Sequence, residues 1–377
     1  MLQPSVSSRR AFLSSSLLLA GCAARRAPVT TTTTPAPVPR LARVQVAPDR
    51  VIRTIVGLRP FRPSGFVVRG EKLGEKTVVH NYGHGGAGIT LSWGTAQLAV
   101  EEGANVDART AAVLGCGVVG LSTARLLQLR GYTVVVYSRE MPPLTTSNVA
   151  GGLWEPVTVF DRRRITPEFR RQFVEASRFA FRRYQSLVGE QYGVRWLPQY
   201  SLSEDGPPGA PPPESPYSEI ETLYPESRML PKEANPFGTA YARRRYSMLI
   251  EPAIYLNALL RDFFIAGGRV AIRDFKSREE LAGIPENLIF NCTGLGARAL
   301  FNDEELTPVR GQLVFILPQP EVDYMTVGPS DIYMFPRKDG ILLGGSHDRG
   351  DWNMEIDPAI SERILRENGA LFRRMRA

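Results

Sequence analysis

The sequence predicts an α/β fold, and three observations carry that prediction. Thr110-Ala111-Ala112-Val113-Leu114 is a short apolar run of strand type. It ends in the glycine-rich turn Gly115-Cys116-Gly117-Val118-Val119-Gly120, after which helical patterning runs from Leu121 to Leu129. Beyond Gly131, a second strand-like run extends from Tyr132 to Tyr137. Strand, glycine turn, helix and strand in that order specify a βαβ unit. With 377 residues and 43% hydrophobic content, the chain can bury one large core or two modest ones.

The chain opens on a segment unlike the rest. Six arginines (Arg9, Arg10, Arg25, Arg26, Arg40, Arg43) and no acid fall within residues 1–48. Removing those six from the net charge of +8 leaves about +2 for the remainder, which is no footprint for DNA or RNA. Ser8-Arg9-Arg10-Ala11-Phe12-Leu13 is a twin-arginine pattern, followed by the apolar run Leu17 to Gly21. The stretch from Ala11 to Gly21 is about half the ~20 residues that a membrane-spanning helix needs, so it reads as a signal-peptide core. Leu19-Ala20-Gly21-Cys22 is similar to a bacterial lipobox, which makes Cys22 the expected lipidation site. The expectation is a periplasmic or cell-surface lipoprotein, exported by the twin-arginine route and anchored to a membrane. That route carries folded proteins, which suits a chain that acquires a bulky cofactor first. Residues 23–48, rich in Thr, Pro and Ala, read as a spacer. Three scattered His and three Cys without a C-x-x-C pair give no pattern for a metal site or a disulfide scaffold.

Residues 49–109 precede the βαβ unit, although that unit ordinarily begins a nucleotide-binding fold. They contain Gly57-Leu58-Arg59-Pro60-Phe61-Arg62-Pro63 and the loop His80-Asn81-Tyr82-Gly83-His84-Gly85-Gly86-Ala87-Gly88. The loop leads into a helix predicted over Ile89 to Glu101, offering a second helix N-terminus to a ligand. In the βαβ turn, Gly115 permits the tight bend, Gly117 admits a pyrophosphate, and Gly120 lets helix and strand pack closely. The pyrophosphate then meets the N–H groups at the start of the helix that follows the turn. The second strand runs into Ser138-Arg139-Glu140, which makes Glu140 the candidate for a ribose.

Further along, Gly206 to Pro216 is a proline-rich loop. The strand Tyr241 to Met248 carries Arg243-Arg244-Arg245, and alternation puts Arg243 and Arg245 on one face. Tyr333 lies in the apolar run Ile332 to Phe335, and Ala359 to Arg374 is helical.

Together these blocks resemble the D-amino-acid oxidase family of flavoproteins, which includes D-aspartate oxidase. The resemblance covers most of residues 50–377. Besides the segments above it includes Leu144 to Pro156, Asn291-Cys292-Thr293-Gly294, Arg310-Gly311-Gln312, Tyr333-Met334-Phe335-Pro336, Leu343-Gly344-Gly345 and Asp351-Trp352-Asn353. Their order is not the family's. The Arg-Pro segment and the His-Asn-Tyr-Gly-His-Gly-Gly loop close the chain there and open it here, which reads as a circular permutation joined through residues 103–109. The resemblance implies a Rossmann-like FAD-binding domain (49–165 and 250–300) and a mixed-sheet substrate domain (166–249 and 301–377).

It implies FAD as cofactor, with an amino acid and O₂ as co-substrates. Arg59 and Tyr333 would hold the substrate carboxylate, and the carbonyl of Gly86 would accept from its amine. FAD would be held by Gly115, Gly117, Val118, Gly120, Arg139, Glu140, Thr145, Thr146, Ser147, Gly152, Leu153, Trp154, Phe275, Cys292, Thr293, Gly85, Gly88, Ile89 and Thr90. The implied reaction is oxidative deamination by hydride transfer to the flavin, giving an imino acid, then a 2-oxo acid and ammonia. Three features depart from the family: Arg139-Glu140 reverses its usual acid–arginine order, Pro329 replaces a second active-site Tyr, and Arg243 and Arg245 line up on one strand face. A pocket lined by that face would favour acidic substrates; a face neutralised by nearby acids would not. A related amine oxidase or dehydrogenase with another electron acceptor, and a non-catalytic flavin- or ligand-binding lipoprotein, remain alternatives.

Overall fold

A computed structural model of the protein describes residues 39–208 and 211–376, which belong to one compact unit. The twin-arginine pattern, Cys22 and most of the spacer lie outside the described residues. Among the described residues, no helix is long and apolar enough to cross a membrane.

Two sheets form the frame. The smaller has six strands in the spatial order β2 (Val67–Leu73), β3 (Lys76–Tyr82), β10 (Leu288–Asn291), β4 (Thr110–Leu114), β5 (Thr133–Ser138) and β9 (Arg269–Ile272). The pairings from β3 to β9 are parallel, and β2 adds an antiparallel edge. Strands β3 and β10 are buried along their whole length, as strands covered on both faces are. One face packs Val79, Ala111, Val113, Val136 and Phe290 against α1 (Gly88–Glu102) and α2 (Val118–Leu129). α3 (Pro167–Gln185) packs on α1, and α4 (Pro252–Ile265) on α2. The other face packs Val78, Ala112, Leu114 and Ile289 against Leu281, Ile284 and Leu300, the last at the end of α5 (Gly296–Leu300).

The larger sheet runs β1 (Val51–Phe61), β11 (Thr307–Ile316), β14 (Gly340–Gly344), β13 (Tyr333–Arg337), β12 (Met325–Val327), β6 (Val194–Ser203), β8 (Tyr241–Ile250) and β7 (Arg228–Met229). A ninth strand, β15 (Asp348–Arg349), pairs with the end of β11. All pairings are antiparallel except β12 with β6. Behind this sheet, α6 (Pro358–Arg373) closes a second core with Val44, Ile364, Leu371 and Phe372. Asp357 caps α6 by accepting from the Ala359 amide at 2.8 Å.

The predicted elements recur within a few residues of their expected bounds. β1 lies within the segment 49–165, yet it pairs along its length with β11, placing Gly57 opposite Gly311 and Arg59 opposite Val309. Its hydrogen-bonding edge belongs to the larger sheet.

The two ends of the described chain meet. Arg43 Nη2 donates to the Met375 carbonyl at 2.7 Å, and the Tyr324 hydroxyl donates to the Ala42 carbonyl at 2.8 Å. At the other junction, α1 ends where the Gly103 amide bonds the Ala99 carbonyl, and residues 103–109 lead directly into β4. A permuted chain needs both arrangements, adjacent termini and a bridged former end.

Candidate active site

Two helix N-termini converge at the carboxyl ends of the parallel strands. Gly117 precedes α2 and Ala87 precedes α1, and neither contributes a capping side chain. A Cβ placed on Gly88 would lie 4.0 Å from Val118 Cγ1 and meet nothing nearer, so the first residues of the two helices face each other across open space. Both helix dipoles therefore point at one place, where an anion is favoured.

The glycine turn is as tight as its sequence requires. Gly115 has φ +103, and a Cβ there would lie 2.6 Å from the Cys292 carbonyl oxygen. On Gly120 it would lie 2.0 Å from the Gly115 carbonyl oxygen. Ser147 Oγ accepts from the Val118 amide at 3.0 Å, so the Thr145–Ser147 segment reaches the same helix end. Thr145 donates to Asn148 Oδ1 at 2.8 Å, and Thr146 opens the helical turn Thr146–Val149. Gly152 adopts φ +95 and accepts from the Ile250 amide at 2.8 Å. Leu153 bridges to Leu249, and the Trp154 indole N–H is buried without a partner among the described residues. Thr90 Oγ1 donates to the Glu155 carbonyl at 3.2 Å, while Ile89 accepts from the Tyr184 hydroxyl at 2.6 Å. Thr293 lies beyond β10, its hydroxyl donating to Asn291 Oδ1 at 2.7 Å. Cys116 and Cys292 are free and buried, and burial pushes both thiols up to about 12, which leaves them unreactive.

Three candidates stand apart from this convergence. Arg139 and Glu140 lie exposed past the end of β5, 3.5 Å from each other. Phe275 packs against Tyr137 in the cluster on the far face of the sheet from α1 and α2. Two helix N-termini, close glycine walls and Ser147 nevertheless form a cradle whose donor set suits the pyrophosphate of FAD.

Next to the cradle, Arg59 and Tyr333 converge. Arg59 Nη1 donates to the Ser346 carbonyl at 3.2 Å and more weakly to the Val309 carbonyl at 3.5 Å. Its guanidinium lies over Gly311, where a Cβ would come within 2.3 Å of Nη1. The Tyr333 ring lies equally close over Gly344 and Gly345, at 2.0 and 2.4 Å from their Cβ positions. Burial raises the Tyr333 pKa, while the charge of Arg59 and a hydrogen bond from it pull the other way. Gly86 adjoins Arg59: a Cβ there would lie 3.6 Å from Arg59 Cδ and 3.0 Å from the Val157 carbonyl oxygen. Gly85, at φ +57, approaches the Thr158 carbonyl more closely than any side chain would allow, and the Gly86 amide donates to that oxygen at 3.1 Å.

Arg243 and Arg245 do face one cavity, as strand alternation requires, but neither is a free cation. The cavity holds about 310 Å³ and shares Val157 with the Gly86 neighbourhood. Arg245 is buried, pairs with Glu155 at 2.6 Å, bonds Gln199 Oε1 at 3.1 Å, and stacks on Tyr224. Arg243 pairs with Glu221 and bonds Ser227 at 2.9 Å. Of the two readings of this face, the neutralised one holds for these arginines, because both acids arrive from distant segments.

Several participants were not legible in the sequence. Arg310 is almost fully buried and bonds the carbonyls of Asn353 at 2.8 Å and Glu355 at 2.5 Å. Gln312 similarly bonds the Asp357 carbonyl at 2.7 Å. The Arg310-Gly311-Gln312 motif thus anchors the segment after β14 that supplies Ser346 and His347 to Arg59. His347 Nδ1 is 3.5 Å from Asp331, and burial together with Arg59 lowers its pKa. Pro329 opens a short turn in which Ser330 and Asp331 have φ +57 and +62, a conformation costly for residues with a Cβ.

The comparisons with known proteins agree with this geometry. The family of FAD dependent oxidoreductases named DAO matches residues 17–102 and 110–376, and the chain belongs to that family. The match breaks at residues 103–109, the junction between α1 and β4. A D-amino-acid oxidase from Rubrobacter xylanophilus is 33% identical over 271 residues, covering 71% of this chain and 78% of that protein. A D-aspartate oxidase from Homo sapiens is 29% identical, over 69% of this chain and 75% of its own length. Among solved structures, glycine oxidase from Bacillus cereus shares the fold with a TM-score of 0.51 at 16% identity, covering 70% of this chain and 78% of that one. The protein is an FAD-dependent oxidoreductase of the DAO type.

Proposed function

We propose that this enzyme oxidises D-amino acids. The α-hydrogen leaves as hydride, the resulting imino acid is hydrolysed by water to a 2-oxo acid and ammonia, and O₂ is reduced to H₂O₂. The convergence of Arg59 and Tyr333 in one glycine-walled recess beside the cradle carries this reading. Arg59 has carbonyl oxygens and a phenol for partners, so a carboxylate is the anion that completes its planar fork. Tyr333 accepts from Arg59, which leaves its own O–H to donate to the same carboxylate. Burial keeps that phenol protonated beyond its usual range. The Gly86 amide is committed to Thr158, and its carbonyl supplies an acceptor for a substrate amine. Carboxylate and amine are then held at separate points, which orients the Cα–H.

When bound, FAD supplies the hydride acceptor and the route of the two electrons to O₂. A neutral amine needs no protein base. His347, which faces Arg59, is held toward its neutral form by burial and by Arg59. Anaerobic mixing of the purified holoprotein with D- and L-amino-acid panels tests the reading. Flavin bleaching by D-amino acids alone, with peroxide formed on readmitting O₂, is the expected result. Bleaching by L-amino acids only, or by none, overturns it.

The proposal extends to location: the twin-arginine pattern and Cys22 support an exported, lipid-anchored protein. Cys22→Ser should then move the protein from the membrane fraction to the soluble one.

A further inference from the structure

We propose that the cavity beside Val157 is a second anion site, which receives the side-chain carboxylate of a dicarboxylic D-amino acid through Arg162, Tyr217 and Tyr224. The inference rests on the D-amino-acid reading above and names its substrate class. It follows from a count of which polar groups in the cavity are already satisfied. The carboxylates are taken: Glu155 receives Arg245 on one oxygen at 2.6 Å and Gln199 on the other at 2.9 Å, while Glu221 is paired with Arg243. Three donors are not. The exposed Arg162 and the hydroxyls of Tyr217 and Tyr224 line the cavity, and none of them makes a hydrogen bond or ion pair through its side-chain polar atoms among the described residues. With two arginine–glutamate pairs cancelling, Arg162 leaves the cavity one positive charge in excess.

The two phenols cannot serve as anions. Burial, with Glu155 close to both, holds each well above the usual tyrosine pKa, so each remains an O–H donor. A cavity with surplus donors, both carboxylates paired and a net positive charge selects a carboxylate over an ammonium or an apolar group. Its position suits a substrate side chain. Val157 walls the cavity and presents its carbonyl 3.0 Å from the Cβ position of Gly86, whose other neighbour at 3.6 Å is the stem of Arg59. An amino acid gripped at Arg59 therefore has the cavity next to it.

The test compares D-aspartate and D-glutamate with D-asparagine and D-glutamine, which match them in size and lack the charge. The wild-type holoenzyme should prefer the acids in kcat/KM. Arg162→Gln should lower kcat/KM for the acids about thirtyfold, mainly through KM, and leave the amides within about threefold. Arg162→Lys should recover part of the loss, and Tyr217→Phe a smaller loss of the same selectivity. Because Arg162 is exposed, an unchanged thermal unfolding midpoint will show that the variant is folded. Amides oxidised as well as acids, or an equal loss on both classes in Arg162→Gln, overturns this inference and leaves the D-amino-acid reading intact. Failure of every D-amino acid to bleach the flavin overturns both.

Discussion

Arg59 and Arg245 are two arginines of the same sheet, each facing a recess, and their surroundings assign them opposite tasks. Arg245 is buried with a carboxylate, an amide oxygen and an aromatic face already against it. Arg59 has two backbone carbonyls and a phenol, none of which carries a full negative charge. A buried guanidinium with its counter-ion built in is part of the scaffold, because separating the pair leaves an uncompensated charge. One whose only partners are neutral has its electrostatic demand unmet and is poised for an external anion. Residue type and strand position are alike; the neighbours decide.

Breaking the comparison at Arg59 should give the largest effect. Arg59→Ala is expected to lower kcat/KM for D-amino acids roughly a thousandfold while the flavin spectrum and unfolding midpoint stay near wild type. Arg245→Met should do the reverse. It strands Glu155 and should cost about 3–5 kcal/mol in urea unfolding, most of it recovered by adding Glu155→Leu. An Arg245 variant of wild-type stability would remove the distinction.

The glycine loop between the two arginines supplies a pH test. His84 is buried against Thr95 at 2.8 Å, and burial holds its pKa down at about 3. The unfolded chain takes up a proton near pH 6.5 that the folded chain refuses, so this stability is full above pH 6.5 and lost as pH falls toward 3. At pH 5 the loss should be about 2 kcal/mol, and His84→Gln should flatten that slope in urea titrations at stepped pH. Smallest is Tyr333→Phe, which removes one donor and leaves Arg59 in place. About a tenfold fall in kcat/KM is expected, and a fall as large as that of Arg59→Ala would mean that the ring chiefly positions the guanidinium.

Legibility in the sequence followed locality. The βαβ unit was readable because Leu114, Gly115, Gly117 and Gly120 act within one turn of chain, where backbone sterics and hydrogen bonding leave few options. The helix after Gly88 was readable for the same reason. The alternation of Arg243 and Arg245 was also local and came out as drawn, but their neutralisation depended on Glu221 and Glu155, which no spacing rule connects to them. The pairing of β1 with β11 was not readable, because strand pairing is a property of two edges and only one edge lies in that stretch of chain. The roles of Arg310 and Gln312 in anchoring Ser346 and His347 were hidden likewise, since each motif names the donor and not the carbonyl it meets.

By itself, then, the sequence determined the elements and the nucleotide turn, which depend on residues close along the chain, and the order of its blocks along the chain. Tertiary structure alone decided which arginines carry a counter-ion and which do not. Charge compensation acts over a few ångströms through space, and the strands that bring Arg59 to Tyr333 and Arg245 to Glu155 are joined by folding, not by proximity in the chain.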